Sequence, residues 1–171
     1  MGYYFRGMIS TDNIVNISRD KYKNLNIINL YNNLVIIPLT DELFDEVNEN
    51  RSVSIKNYKY FTDRIGLFCS NISMISKIAY VEAEYFGGIG SQNGIVWDKE
   101  KVFFEETLSD NAINKALEIL GIKKSKDKDE FDTVGFGRHR NVDDWITVNN
   151  RYSTNGHDSV GVCSAAAPLF Y

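Results

Sequence analysis

The sequence feature that most constrains the fold is residues 77–86, in which two kinds of side chain alternate. Small, apolar or aromatic residues occupy one set of alternate positions. Glu82 and Glu84 occur in the other set, together with apolar residues and Tyr80. A repeat of two residues is typical of a β-strand, because successive side chains point to opposite faces of a sheet. The segment therefore predicts a strand with both glutamates on one face.

Two further strands are expected directly after this one. The turn-rich residues 87–94, with the sequence GGIGSQNG, lead into a short strand at 95–97. The polar turn 98–101 then leads into another strand at 102–105. Strands that are joined by such short connections pair in an antiparallel manner. The expected core is therefore an antiparallel β-meander rather than a parallel βαβ unit.

Helices are expected before and after the meander in the sequence. Thr40 and Thr62 are each followed by an amphipathic stretch, and threonine is suited to cap a helix N-terminus. Residues 109–120 contain the clearest helical repeat, with Ser109 as the expected cap and Gly121 at the C-terminal end. Together these elements predict a single α+β domain, in which an antiparallel β-meander packs against two or three helices.

The domain is expected to cover residues 1–148, and residues 34–145 are its best specified part. The first 33 residues show weak periodicity apart from a short strand expected at 3–9. Residues 149–171 are rich in Asn and Ser and are expected to form a loosely structured C-terminal tail. Asparagine weakens these assignments because its side chain competes for backbone hydrogen bonds.

Composition and charge narrow the classes of function. The chain has 171 residues, 43% of them hydrophobic, and its ten Phe, ten Tyr and two Trp supply enough apolar area for a core. Its net charge of -4 argues against a nucleic-acid partner held by a basic surface. The sequence shows neither an apolar stretch long enough to cross a bilayer nor a signal peptide, and its two cysteines are far apart. We therefore expect a reduced cytoplasmic protein without a membrane partner.

The glycine-rich residues 87–94 allow two interpretations. Backbone amides of such a loop can cradle a phosphate when the loop opens onto a helix N-terminus. Here a strand is expected to follow the loop, and no Lys-Ser or Lys-Thr pair follows Gly94. The glycines are therefore interpreted as residues of a tight or bulged turn.

Glu82 and Glu84 are a candidate pair of functional carboxylates. Two positions apart on one strand, their side chains are expected to lie roughly 6.5 to 7 Å apart. This spacing suits acid–base catalysis, or a metal site if a histidine or a further carboxylate is near. The alternative interpretation is a solvated strand face, although Tyr80 on the same face also suits a binding surface.

Arg138, His139 and Arg140 form the densest cluster of side chains with functional chemistry. The two guanidinium groups could clamp a carboxylate or a phosphate of a ligand. Alternatively, they could pair with the Asp143 and Asp144 carboxylates, or with acidic residues before them, in a structural network.

The sequence predicts no metal site and no cofactor. The acidic residues 127–132 lack the glycine and the bidentate glutamate of a calcium-binding loop. Cys69 lies beside an apolar helical stripe and is expected to be a small buried hydrophobic residue. A catalytic pairing of Cys163 with His157 or His139 has no supporting motif.

Three segments together resemble a pattern found in small bacterial proteins. They are IPLTDELFDE, AYVEAEYFGGIGSQNGIVWDKEKV and DEFDTVGFGRHRNVDDW, all within residues 34–145. More broadly, the small size, the acidic charge and the lack of catalytic motifs resemble the immunity proteins of bacterial toxin–immunity systems. This resemblance of type implies a protein partner, and no functional residue carries over from it.

The leading hypothesis is that the chain binds a cognate toxin domain, of the nuclease class, and neutralises it by direct occlusion. A cleft that holds nucleic acid is basic, and carboxylates and aromatic side chains can fill it. The expected contact residues are acidic or aromatic, namely Glu82, Glu84, Tyr85, Asp127, Asp129, Glu130, Asp132 and Trp145.

Two alternatives remain open. One is a small enzyme in which His139 works with Glu82 or Glu84, which requires these side chains to converge in one pocket. The other is a nucleic-acid-binding module that uses the arginines on either side of His139 and the lysines of residues 123–128.

Overall fold

A computed structural model of the chain describes residues 2–11, 13–14, 21–49 and 51–153. Its centre is one antiparallel sheet of six strands, in the order β2-β3-β1-β4-β5-β6. The strands are β1 (Tyr3–Thr11), β2 (Ile28–Asn29), β3 (Leu34–Pro38), β4 (Ile78–Phe86), β5 (Ile89–Asp98) and β6 (Lys101–Ser109). The predicted α+β class with an antiparallel meander is confirmed, since β4, β5 and β6 are consecutive neighbours in the sheet.

Of the glycines at 87–94, which the sequence predicted to form a turn, only the first two do so. Gly87 and Gly88 connect β4 to β5 with positive φ angles of 60° and 83°, which residues with a side chain disfavour. The remainder of the glycine-rich stretch belongs to β5 rather than to a loop. Gly90 is required there because a Cβ atom would lie 2.0 Å from the carbonyl oxygen of Glu84 on the neighbouring strand.

The central strand β1 is longer than the strand predicted at 3–9, and residues 5–10 are all buried. It pairs with β3 on one side and β4 on the other, and apolar side chains cover both of its faces. A strand that is buried on both faces lacks the alternation that marks a half-exposed strand. For this reason the centre of the sheet lies in a region where periodicity is weak.

Helices cover both faces of the sheet. One face is covered by α1 (Asp41–Asn48) and α2 (Asp63–Ser73). The other is covered by α3 (Ala112–Ile119), α4 (Glu130–Thr133), a 3-10 turn (Phe136–Arg138) and α5 (Val142–Ser153). The predicted cap Thr40 is confirmed, and Thr62, where the second helix was expected to begin, is also a cap, because each side-chain oxygen accepts a hydrogen bond from the backbone amide three residues later.

Helix α3 begins later than the sequence predicted. Ser109 is the last residue of β6 rather than a cap, and Asn111 before the helix makes no side-chain cap hydrogen bond. Instead, the Gln92 Oε1 atom on β5 accepts a hydrogen bond from the Ile113 amide at 2.9 Å. A free helix amide can be satisfied by any nearby acceptor, and this one comes from a distant strand that local spacing does not indicate.

Helix α5 extends into the region where a loose tail was predicted. Residues 149–153 belong to this helix, and the rest of the predicted tail lies outside the described residues. Among the helices of the described part of the chain, none combines the length and the apolar character needed to cross a membrane.

Candidate binding site

Glu82 is a buried carboxylate that holds a loop against the sheet. Its Oε1 atom accepts hydrogen bonds from the Tyr60 amide at 2.7 Å and the Tyr80 hydroxyl at 2.6 Å. Its Oε2 atom accepts one from the Lys59 amide at 3.0 Å. Burial raises the pKa of the Tyr80 hydroxyl, which keeps this group a donor. Glu82 is therefore neither solvated nor free for a partner, and the expected contact role is corrected to a structural one.

Asn93 adds a second connection at the same place. It lies directly across from Glu82 on β5, and its side-chain amide donates to the Asn57 carbonyl at 3.0 Å. Its Oδ1 atom accepts a hydrogen bond from the Leu108 amide at 2.7 Å. Leu108 has a φ angle of 54°, a conformation that is uncommon for a bulky residue. Asn93 thus links the loop at 57–60 to the end of β6.

Arg6 is a buried charged residue beside Glu82 that the sequence analysis did not identify. It is only 3% exposed, lies across from Glu82 on the neighbouring strand β1, and donates from Nε to the Leu39 carbonyl at 2.7 Å. Its guanidinium group pairs with Asp41 and lies 3.9 Å from the centre of the Tyr60 ring. The available signal was a lone arginine within an apolar strand, since buried charges are rare unless they are paired.

These contacts shape an open cleft of about 160 Å³ at the end of strands β4 and β5. We call it the hairpin cleft, and it is lined by Tyr4, Phe5, Asn57, Lys59, Tyr60, Glu82, Ala83, Glu84, Ser91, Asn93 and Leu108. Tyr4 and Tyr60 form an edge-to-face aromatic pair with ring centres 6.1 Å apart. The cleft therefore combines an aromatic wall with polar and charged groups from the two strands.

An exposed ion pair spans the hairpin cleft. The Lys59 ammonium group lies 2.9 Å from the Glu84 carboxylate, and the two side chains are 55% and 59% exposed. The same ammonium group lies 5.9 Å from the Tyr4 ring centre and 5.5 Å from the Tyr60 ring centre. The hydrogen bond to Glu84 raises the pKa of Lys59. Glu84, unlike Glu82, is thus at the surface and available to a partner.

Two large apolar side chains stand next to this cleft. Phe86 and Ile89 lie opposite each other across the tight turn and are 83% and 84% exposed. The alternation of the strands places them on the same face as Glu84 and Ser91. We call the combined surface the hairpin face, which comprises Tyr4, Lys59, Tyr60, Glu84, Phe86, Ile89, Ser91 and Leu108.

Tyr85 does not belong to the hairpin face. Its neighbours in β4 alternate, so its side chain lies on the opposite face of the sheet from Glu84. There it is partly buried against the apolar cluster that contains Val81, Ala83 and Trp145.

The acidic segment predicted as a contact region lies on a different surface from Glu84. Asp129 caps α4 by accepting a hydrogen bond from the Asp132 amide at 2.9 Å, and the Asn114 side chain of α3 donates to it at 3.1 Å. Asp127 is exposed in the preceding loop, and Glu130 begins α4. Because α3 and α4 pack on the face opposite Glu82, the predicted contact residues do not form one continuous surface.

Trp145 is a core residue rather than the partner-contact anchor that the sequence predicted. It is 2% exposed, and its ring centre lies 6.5 Å from that of Phe5 and 6.0 Å from that of Phe136. The helical repeat of α5 turns it onto the sheet while Asp143 and Asp144 stay exposed.

Arg138 supports the fold through carbonyl groups and aromatic rings. It donates to the Gly135 and Asn29 carbonyls, each at 3.0 Å, and its guanidinium group lies 5.1 Å from the Tyr31 ring centre. In the described residues, no ion pair joins Arg138 or Arg140 to a carboxylate, so the predicted pairing with nearby acidic residues is not observed. The structural role holds, but its partners differ from those expected.

His139 and the two glutamates do not converge. The His139 ring packs against Trp145 with ring centres 4.7 Å apart, on the face of the sheet opposite Glu82 and Glu84. The acid–base arrangement that the enzyme hypothesis requires is therefore not assembled. The lysines of the nucleic-acid hypothesis lie in the exposed loop at 123–128, whereas Arg138 is fixed beside β2.

Cysteine and metal chemistry add nothing to this site. Cys69 is fully buried in the apolar core, as predicted, and burial raises the pKa of its thiol. Cys163 and His157 lie outside the described residues. Within the described ranges, no group of three or more His, Cys, Asp or Glu side chains is arranged to hold a metal ion.

Comparisons of the chain with protein-family models, with curated proteins and with solved structures find no match.

Proposed function

We propose that this protein is an immunity-type inhibitor, which binds a toxin domain through the hairpin face and neutralises it by occlusion. The observation that carries the proposal is the pair Phe86 and Ile89, two apolar side chains more than four-fifths exposed beside a cleft that contains Glu84. Contiguous exposed apolar groups with a polar surround are typical of protein interfaces.

The energetics of this surface favour a protein partner. Burying one large apolar side chain stabilises a complex by about 1.5 to 3 kcal/mol relative to leaving it in water. Phe86 and Ile89 lie at the tip of a tightly turned hairpin, so their backbone is already ordered by strand pairing. An ordered backbone loses less conformational entropy on binding than a disordered one does.

The charge of the molecule supports the nuclease class of toxin. The chain carries a net charge of -4, and Glu84 stands at the centre of the hairpin face. An active cleft that binds nucleic acid is positively charged, so an acidic inhibitor is steered towards it. Steering of this kind predicts that the association rate falls as salt is added.

The test is co-purification and calorimetry with the toxin domain encoded beside this gene. We expect a one-to-one complex, and we expect cells that produce the toxin domain to survive only when this protein is co-expressed. Absence of a neighbouring toxin gene, of a complex or of protection would each contradict the proposal.

A pair of matched variants locates the interface. Phe86→Asp places a charge on the hairpin face and is expected to weaken toxin binding at least about tenfold, as for a hot-spot residue. Phe103→Asp makes the same change on β6, near the turn that joins β5 to β6 at the other end of β5 from the hairpin face. Phe103 is 64% exposed there, and its substitution should leave affinity unchanged. Equal effects of the two variants would exclude the hairpin face as the interface.

A further inference from the structure

We propose that the hairpin cleft receives one arginine side chain of the protein partner, which replaces the Lys59 ammonium group at the cleft wall as the cationic partner of Glu84. This inference rests on the proposed function and specifies what the hairpin face recognises. It is carried by the size of the cleft, the balance of its charges and the position of the Lys59 ammonium group between two tyrosine rings and Glu84.

The size of the cleft suits a side chain rather than a cofactor. Its volume is about 160 Å³. Pockets for drug-sized ligands and cofactors hold about 300 to 1,000 Å³. When a single side chain enters from the surface of a partner, only its end group must fit into the cleft. This smaller space is sufficient for such a group.

The charges that line the cleft favour a cation. They are the carboxylates of Glu82 and Glu84 and the ammonium group of Lys59. The Glu82 oxygens are occupied by backbone and side-chain donors of the fold, whereas Glu84 pairs with Lys59 alone among the described residues. Displacement of the Lys59 side chain therefore leaves the exposed Glu84 carboxylate without a cationic partner.

The aromatic wall favours the same kind of group. A cation within about 6 Å of a tyrosine ring centre is attracted by the negative face of the ring. Lys59 already satisfies this distance for both Tyr4 and Tyr60. The Tyr60 ring already contacts a guanidinium group of this chain, because the central carbon of Arg6 lies 3.9 Å from the ring centre.

Arginine is a better occupant of this place than Lys59. A guanidinium group binds a carboxylate through two parallel hydrogen bonds, stacks on aromatic rings and is less strongly hydrated than an ammonium group. Lys59 can leave without disturbing the fold, since Glu82 holds its backbone amide while its side chain is 55% exposed. The lysine is thus a replaceable occupant, and the carboxylate is the fixed part of the site.

The experiment is an NMR titration of the full chain with N-acetyl-arginine amide, followed by backbone amide shifts. N-acetyl-citrulline amide, which has the same shape without the charge, is the matched control probe. We expect saturable shifts at Tyr60, Glu84 and Ser91 with the arginine probe and none with the citrulline probe.

One variant of each residue of the ion pair, with a third variant as a control, separates the roles of the two residues. Glu84→Gln is expected to abolish the arginine-specific shifts, and Glu118→Gln, which removes the same charge from an exposed position on α3, should leave them intact. Lys59→Met is expected to strengthen binding of the probe about two- to fivefold, because an exposed ion pair no longer competes.

Shifts that are equal for the two probes, shifts that persist in Glu84→Gln or weaker binding by Lys59→Met would each overturn the inference. Weaker binding by the methionine variant would mean that Lys59 is itself a contact. Binding of the arginine probe and binding of the toxin domain are measured separately, so absence of probe binding overturns this inference without deciding whether the toxin complex forms. Loss of the toxin complex with arginine binding intact would instead contradict the proposed function alone.

Discussion

Glu82 joins the two walls of the hairpin cleft, whereas Glu84 is exposed and pairs only with the exposed Lys59 among the described residues. The two carboxylates are two positions apart on β4, yet one is 7% exposed and the other has a side chain that is 59% exposed. The difference arises because the loop at 57–60 folds over Glu82 and supplies donors to it. The sequence indicated the shared face of the pair, but this contrast depends on a loop more than twenty residues away.

This contrast predicts different costs for two alanine substitutions. Glu82→Ala leaves the Lys59 and Tyr60 amides and the Tyr80 hydroxyl without their acceptor, so it should lower the free energy of unfolding by about 3 kcal/mol. Glu84→Ala removes only an exposed ion pair and should lower it by less than about 1 kcal/mol. Urea unfolding followed by circular dichroism measures both values. A Glu82→Ala protein as stable as Glu84→Ala would show that the buried contacts do not hold the loop.

Among the elements, β4 was predicted almost to its bounds, whereas β5 was predicted at 95–97 and begins at Ile89, and β1 was predicted at 3–9 and extends to Thr11. Residues 77–86 alternate because the end of β4 is exposed on one face, and Gly87 and Gly88 mark the turn by composition. β1 carries no such pattern since both faces are buried. The start of α3 was also missed, because its free amide is satisfied by Gln92 from another strand. Sequence patterns thus identified elements that depend on residues close in the sequence, and they failed where contacts from distant residues decide the structure.

Two glycines of the hairpin have different reasons to be glycine, and substitution distinguishes them. Gly90→Ala places a Cβ atom against the Glu84 carbonyl oxygen and forces β4 and β5 apart, so it should cost about 3 kcal/mol of unfolding free energy. Gly87→Ala meets no atom within 4 Å and only strains a positive φ angle, at a cost of about 1 kcal/mol. Urea midpoints of the two variants provide the comparison, and a larger loss in Gly87→Ala would contradict the packing at Gly90.

At the scale of the whole molecule, helices cover both faces of the sheet, and the turn between β4 and β5 is exposed at one end of it. The predicted contact residues are divided by this arrangement. Glu84 lies on the hairpin face, the acidic residues of α4 and the loop before it lie on the other side, and Trp145 is inside. Tyr4, Tyr60 and Leu108 join Glu84 only through the fold, since they come from three distant parts of the chain. No spacing in the sequence could have assembled them.

The most direct test of the central claim is the footprint of the toxin domain on this protein, measured by hydrogen–deuterium exchange of the complex. We expect slower exchange on the hairpin face, at residues 57–60, at the ends of β4 and β5 around the turn and near Leu108. The surface formed by α3 and α4 should exchange as in the free protein. Protection confined to α3 and α4, with the hairpin unchanged, would contradict the account.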